Sequence, residues 1–261
     1  MGVLNVTTDS FFDGGKYVTH AAMLAHAEKM LTEGADFIDV GGYSSRPGAD
    51  DIPMEEERNR VATAVAMISK HFPGAIVAVD TFRSAVAQAA IDAGASMIND
   101  ISAGNLDLEM LETISRLKIP YIVMHMRGDP RTMSTLTQYA HVVKEVIDFF
   151  HEKTFALRQL EVNDIIIDPG FGFSKTLAQN FELLHNLDKF SIVGPPILVG
   201  LSRKSMIWKT LDVTPADALI GTTALNAIAL LKGANILRVH DVKEAREVVK
   251  LFTSLQVNVS T

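Results

Sequence analysis

The chain has 261 residues, 48% of them hydrophobic, no cysteine and a formal net charge of -7. Without cysteine there is no disulfide or thiolate metal site, so any metal would take oxygen or imidazole ligands. The scattered Lys and Arg residues form no basic stripe for nucleic acid. No apolar stretch approaches the roughly 18 residues of a membrane span, and no basic segment precedes a hydrophobic run at the start, so a cytoplasmic protein with neither nucleic acid nor membrane as partner is expected.

Eight short apolar runs punctuate the chain: Gly2–Asn5, Phe37–Gly42, Ile76–Asp80, Met97–Asp100, Tyr121–His125, Ile165–Asp168, Ile197–Gly200 and Ile236–His240. They are rich in Ile and Val and lack strict alternation, as strands of a parallel sheet buried on both faces do. Between and after them lie segments of helical spacing, at about 19–33, 54–71, 84–93, 107–118, 135–160, 176–188, 216–232 and 243–254. Gly34, Gly94 and Gly233 follow such segments, where a left-handed residue closes a helix. The order is strand then helix, eight times, at a length close to the roughly 250 residues of a (β/α)8 TIM barrel. We therefore expect one barrel domain over 1–261. No GxGxxG or GxxxxGK nucleotide motif is present. Only four residues precede Asn5, so the first strand is expected to be short.

In such a barrel the C-terminal ends of the strands carry the chemistry. Asp39, Asp80, Asn99, Asp100 and Asp168 stand at four of those ends. Each alone could cap a following helix; together they form an acceptor-rich mouth for a ligand rich in N–H groups. Asp168-Pro169-Gly170-Phe171-Gly172-Phe173-Ser174-Lys175 is a tight loop whose two phenylalanines could wall a flat aromatic ligand or sit in the core. Ser202-Arg203-Lys204-Ser205 follows the seventh run, and Arg238 and His240 in the eighth are two apart, on one side of a strand. Two long loops, 7–17 and 41–53, are either lids or ordinary surface loops. His125 is ambiguous, a lone strand-end histidine being more often a structural residue than a catalyst, and Met124 and Met126 are read as packing.

The motifs at residues 1–11, 41–49, 79–81, 98–101, 168–173, 202–205 and 238–242 resemble, in order, those of the dihydropteroate synthase family, which joins a pterin to p-aminobenzoate. The resemblance runs from Met1 to about Leu251. It implies a pterin held by Asp80, Asn99 and Asp168, with Lys204 beside the ring and Asp39 lower in the pocket. It implies a diphosphate against Arg238 and His240, and Mg²⁺ held partly by Asn5. The p-aminobenzoate would lie near Phe11, Ser45, Arg46, Pro47, Phe173, Lys204 and Ser205. The family reaction resembles an SN1 displacement, with Asp80 supporting the cation and Lys204, Arg238 and His240 completing the catalytic set, and the family commonly forms homodimers. Thr8, Phe12, Tyr43 and Ser45 depart from the family pattern, all on the p-aminobenzoate side. A methyl-transferring pterin barrel is a second reading, disfavoured by Arg238, His240 and the Ser-Arg-Lys-Ser segment. A catalytically silent homologue is a third, disfavoured by the retained Asn5, Lys204 and Arg238.

Overall fold

A computed structural model describes residues 1–6, 16–43 and 52–257. Strands β1 (Gly2–Asn5), β2 (Phe37–Gly41), β3 (Ile76–Asp80), β4 (Met97–Asp100), β5 (Tyr121–Met124) and β6 (Ile165–Asp168) form one parallel sheet in chain order, and β7 (Leu198–Val199) pairs in parallel with β8 (Ile236–Leu237). Parallel bridges join Ile167 to Ile197 and Gly2 to Val239. The Val3 amide donates to the Val239 carbonyl at 3.0 Å and the Val239 amide to the Met1 carbonyl at 2.9 Å. The eight strands therefore close into a ring, as expected.

The first strand is short but fully paired, with all four residues in register with β2. The weak strands are β7 and β8, expected at four and five residues and observed with two each. Pro195 and Pro196 precede β7 and have no N–H to offer a ladder, and the chain leaves the regular pattern at Gly200 and Arg238.

Helices cover the outside: α1 (Lys16–Thr32), α2 (Met54–His71), α3 (Ser84–Asp92), α4 (Met110–Leu117), α5 (Val142–Gln159), α6 (Leu177–His185), α7 (Ser205–Leu211), α8 (Leu219–Leu231) and α9 (Val242–Val257). The segment expected to be helical from 135 begins as a 3₁₀ turn at Met133–Thr135, and α5 starts only at Val142. The Thr135 hydroxyl donates to the Thr132 carbonyl at 2.9 Å, the local bonding by which threonine competes with a helix. The glycines expected to close helices do so, with φ of +95° at Gly34, +111° at Gly94 and +95° at Gly233.

The core has two layers. Between sheet and helices lie Ile38, Val40, Val77, Val79, Ile98, Val123, Ile167 and Val199, and inside the barrel a separate plug is made by Met1, Ala78, Met97, Ile122, Ile166 and Leu198, packed with Phe37 and Ile236. Each fully buried aliphatic side chain contributes about 1.5–3 kcal/mol. Side chains on a strand alternate between faces, so the residue two places beyond each plug residue also points inward, one layer nearer the mouth. Among the described residues, no helix is long and apolar enough to cross a membrane.

Candidate active site

The alternation sets the mouth. Two beyond Phe37 stands Asp39, two beyond Ala78 is Asp80, and Asn99, Met124, Asp168, Gly200 and Arg238 follow Met97, Ile122, Ile166, Leu198 and Ile236 in the same way. Asp100 is one place out of this register and turns away from the mouth. Its carboxylate accepts the Ser102 amide at 2.7 Å, the Ser102 hydroxyl at 2.8 Å, the Gly104 amide at 2.8 Å and the Tyr121 hydroxyl at 2.6 Å. Contrary to the sequence reading, Asp100 has a full set of protein donors.

Arg238 does not stand apart with the basic groups. Its Nε donates to Asp39 Oδ2 at 2.6 Å and its Nη2 to Asp80 Oδ2 at 2.7 Å, while Asn99 Nδ2 reaches the same Asp39 oxygen at 3.1 Å. One guanidinium thus bridges two carboxylates, its planar fork suited to the task. Asp39 Oδ1 is buried with no hydrogen-bond partner among the described residues. An orphaned carboxylate oxygen at the floor of a polar mouth is an acceptor awaiting a donor. Burial pushes the Asp80 carboxyl up to about 7; Arg238 opposes this, and Asp39, Glu57 and Asp100 add to it. Burial opposes the Arg238 charge, yet Asp39 and Asp80 raise its pKa further above the ordinary value.

A folded-state pKa above the unfolded carboxylate value means that the native protein holds a proton the unfolded chain has released. Stability contributed by Asp80 is therefore complete below about pH 4 and lost as pH rises to about 7. Urea unfolding of wild type and Asp80→Asn across pH 4–8 should show a shallower decline in the variant; equal slopes would remove Asp80 as the source.

The Asp168–Lys175 loop forms the opposite wall. Asp168 Oδ1 accepts the Gly170 amide at 2.8 Å, and Oδ2 has no hydrogen-bond partner among the described residues. Burial raises the Asp168 pKa, against the pull of Lys204 and the Gly170 amide. Gly170 has φ of +71°, and a Cβ there would lie 2.1 Å from the His125 carbonyl oxygen, so only glycine fits. The two phenylalanines separate: Phe171 is fully buried in the outer core, whereas Phe173 packs against Ile101, Met124, Met126 and Met133 at the top of the barrel. Only Phe173 can wall a ligand, and the packing role expected of the two methionines holds at that upper layer.

Lys204, the N-cap of α7, donates from Nζ to the Phe171 carbonyl and lies 5.0 Å from the centre of the Phe173 ring, a cation–π distance. Burial lowers its pKa to about 8; Asp168 and Asp80 hold it up, and Arg238 pushes it down. Arg203 is committed elsewhere, its Nε and Nη2 each 2.9 Å from the Asp241 carboxylate. Ser205 opens α7 and is half-buried. His240 is exposed, with Nδ1 3.0 Å from the Ser202 hydroxyl. His240 lies beyond the end of β8, while Arg238 reaches inward to Asp39 and Asp80.

Asn5 ends β1, half-buried beside Gly41, where a Cβ would come within 3.3 Å of the Asn5 amide oxygen. Ser45 and Arg46, with Thr8, Phe11, Phe12 and Pro47, lie outside the described residues. Tyr43 packs edge-on against Phe82 at 5.1 Å, and Arg83 covers its ring at 5.3 Å. His125, ambiguous from sequence, is buried against Lys175: burial, then Lys175 and Arg127, hold its pKa down to about 2. Sequence reasoning missed Asn180 of α6, whose Oδ1 accepts the Gly172 amide at 2.6 Å; nothing in a helix interior marks an asparagine that faces a loop.

The family model for pterin-binding enzymes matches residues 1–240. The folic acid synthesis protein of Pneumocystis carinii is 43% identical over 98% of this chain, which spans only 35% of that longer protein. The dihydropteroate synthase of Haemophilus influenzae is 41% identical over 97% of this chain and 92% of its own length. A Yersinia pestis dihydropteroate synthase structure with a sulfonamide drug superposes with a TM-score of 0.92 at 38% identity, covering 99% of this chain and 93% of that one. The chain belongs to the pterin-binding enzymes, and within them to the dihydropteroate synthases, transferases of folate biosynthesis.

Proposed function

We propose that the mouth divides between the two ends of a pterin diphosphate, with Asp39, Asp80, Asn99 and Asp168 on the ring, Arg238 and His240 on the diphosphate, and Lys204 between them. The observation that supports this most is the pair of carboxylate oxygens to which no described residue donates, the buried Asp39 Oδ1 and Asp168 Oδ2, with the Lys204 and Arg238 cations acting on the same carboxylates. A pterin presents an amino group and a neighbouring ring N–H side by side, and a carboxylate accepts both. Arg238 keeps Nη1 for a phosphate oxygen, since its bonds to Asp39 and Asp80 use Nε and Nη2. Ser205 and Phe173 flank Lys204 on the side assigned to p-aminobenzoate, with Ser45 and Arg46 assigned there as well.

The reaction then runs by heterolysis. The C–O bond to diphosphate breaks with its electron pair leaving on oxygen, under the positive charge of Arg238 and Lys204, with His240 beside them at the rim. The methylene carbon becomes a pterin-stabilised cation, which the ionised form of Asp80 supports electrostatically. The p-aminobenzoate amine forms the C–N bond and releases a proton to solvent, so no protein nucleophile is needed.

Mg²⁺ fits the donor set. Among the described residues there is no cluster of three or more His, Asp or Glu side chains that could hold a metal alone, and the Asn5 amide oxygen, beside Gly41, is a single hard donor suited to an ion that keeps waters and takes phosphate oxygens. When bound, the ion would neutralise charge on the departing diphosphate.

The test is formation of dihydropteroate from the pterin diphosphate and p-aminobenzoate. Turnover is expected with Mg²⁺ and not with excess chelator, and Asn5→Ala should raise the Mg²⁺ concentration for half-maximal rate about 10-fold. No product above a blank would overturn the assignment, and an unchanged Mg²⁺ requirement would remove Asn5. Repeating the assay with a sulfonamide probes the loop that carries Tyr43 and Ser45.

The homodimer is part of the same reading. Helices α8 and α9 leave a groove of about 650 Å³ lined by Leu219, Ile220, Ala227, Val248 and Phe252, with Ile220 83% and Leu251 74% exposed. Apolar patches of this kind mark interfaces. Sedimentation should give twice the chain mass for wild type and the single chain mass for Ile220→Glu; a monomeric wild type would refute the dimer.

A further inference from the structure

Lys175 closes the loop that begins at Asp168, and its side chain runs back underneath it. The residue is 8% exposed. Its Nζ lies 3.0 Å from the Gly170 carbonyl oxygen, 2.9 Å from that of Phe173, 3.3 Å from that of His125 and 3.0 Å from His125 Nδ1. The His125 ring is neutral, with its pKa near 2, so Nδ1 accepts while the proton sits on Nε2. Burial lowers the Lys175 pKa well below the ordinary lysine value, Lys204 and Arg127 adding to the effect against Asp168.

These acceptors fall in two groups. Gly170 and Phe173 bracket the stretch Phe171-Gly172, and Phe171 to Phe173 are the residues that cradle Lys204. The Phe171 carbonyl accepts its Nζ, a Cβ on Gly172 would come within 3.3 Å of its Cδ, and the Phe173 ring faces its ammonium. The second group, both from His125, ties the cradle to the end of β5. Ser174 repeats the tie next door, its hydroxyl oxygen 2.9 Å from both the amide nitrogen and the carbonyl oxygen of Arg127. A methionine would fill the Lys175 space without burying an amine, so packing alone does not call for a lysine. What the lysine adds is one group with several donors that reaches both ends of the cradle and the neighbouring strand at once.

We propose that Lys175 is a positioning residue for Lys204, holding the Phe171–Phe173 cradle from both ends so that the Lys204 ammonium is aimed at the bound pterin. This rests on the reading of Lys204 as a substrate-binding group. The interaction crosses no substrate atom: Lys175 acts wholly through the loop.

A double-mutant cycle on kcat/KM for the pterin diphosphate tests it, using wild type, Lys175→Met, Lys204→Met and the double variant. The expected result is a loss of about 10- to 100-fold for Lys175→Met in the wild-type background, the scale of a small misplacement at a reacting centre. In the Lys204→Met background the further loss should be under about 3-fold, since a group that acts through Lys204 has nothing left to position. Equal losses in both backgrounds, or wild-type kcat/KM in folded Lys175→Met, would overturn the inference. If Lys204→Met itself retained full kcat/KM, the reading of Lys204 would fail, and the inference with it; an impaired Lys204→Met with an additive cycle overturns the inference alone. Should Lys175→Met not fold, His125→Leu removes one acceptor and keeps the lysine. A smaller loss confined to the Lys204 background is then expected, and an equal loss in both backgrounds refutes it.

Discussion

Asp168→Asn should weaken pterin binding at least 100-fold in calorimetry. The structure sharpens why the substitution is not conservative. One carboxylate oxygen is committed to the Gly170 amide at 2.8 Å, so an asparagine would leave its oxygen there and turn its NH₂ toward the mouth. The amide group would then face the amino and ring N–H groups of the ligand, donor against donor. Two hydrogen bonds to a charged acceptor, at roughly 1.5–3 kcal/mol each, are lost together, and about 1.4 kcal/mol is a factor of ten in affinity. The fold should survive, since the Gly170 bond is kept. An unchanged affinity would show that the pterin sits elsewhere in the barrel.

Replacing Arg238 by methionine is expected to cost both activity and stability. The guanidinium is the cation shared by Asp39, fully buried, and Asp80, whose side chain is 17% exposed. Removing one partner of a buried ion pair typically costs about 3–5 kcal/mol because the remaining charge has no compensation. The Asp80 carboxyl, no longer opposed by Arg238, would then bind its proton more tightly in the folded state, so the deficit should be largest near pH 7.5 and shrink as pH falls to 5, where protonation discharges Asp80. The rate should fall about 100- to 1,000-fold, the scale of losing one preorganised donor at a leaving group. Arg238→Lys restores a charge without the fork and should recover part of the stability but not both bonds. Urea unfolding at the two pH values separates the effects, and a variant as stable as wild type at pH 7.5 would sink the bridging role.

Which parts of this molecule could be read from residues alone follows from how local each signal is. Strands β1 to β6 were legible to within one residue because Ile-Val runs such as Ile76–Asp80 carry their pattern in a few adjacent positions. Strands β7 and β8 were overextended because an apolar run does not show where a ladder stops: Pro195 and Pro196 have no N–H for it, and regular pairing ends at Val199 and Leu237. The helix Ser205–Leu211 was missed: seven residues ending in a left-handed Asp212, with φ of +53°, are too few to establish a period.

The site divides along the same line. Asp39, Asp80, Asn99 and Asp168 announced themselves as polar ends of apolar runs, and the structure gathers them. Asp100 was grouped with them because parity along a strand is invisible until the inner face is known. The bridge from Arg238 to Asp39 spans 199 residues and that to Asp80 spans 158; no spacing in the sequence encodes it. Arg238 was accordingly assigned to the diphosphate alone, when it also binds the carboxylate side.

The two-residue strands have a consequence for how the enzyme comes into being. Asp39, Asp80, Asn99 and Asp168 belong to the continuous six-strand arc, whereas Lys204 and Arg238 arrive with the last two strands, which meet the arc through one bridge on each side. Contacts so distant in sequence form late, after shorter loops have closed. A chain that has folded its arc but not latched its final pair therefore has the acidic hollow without Lys204 and Arg238 in it. The substrate-binding cations therefore depend on the last two strands being in place, and a molecule without that closure would lack the groups that meet the diphosphate.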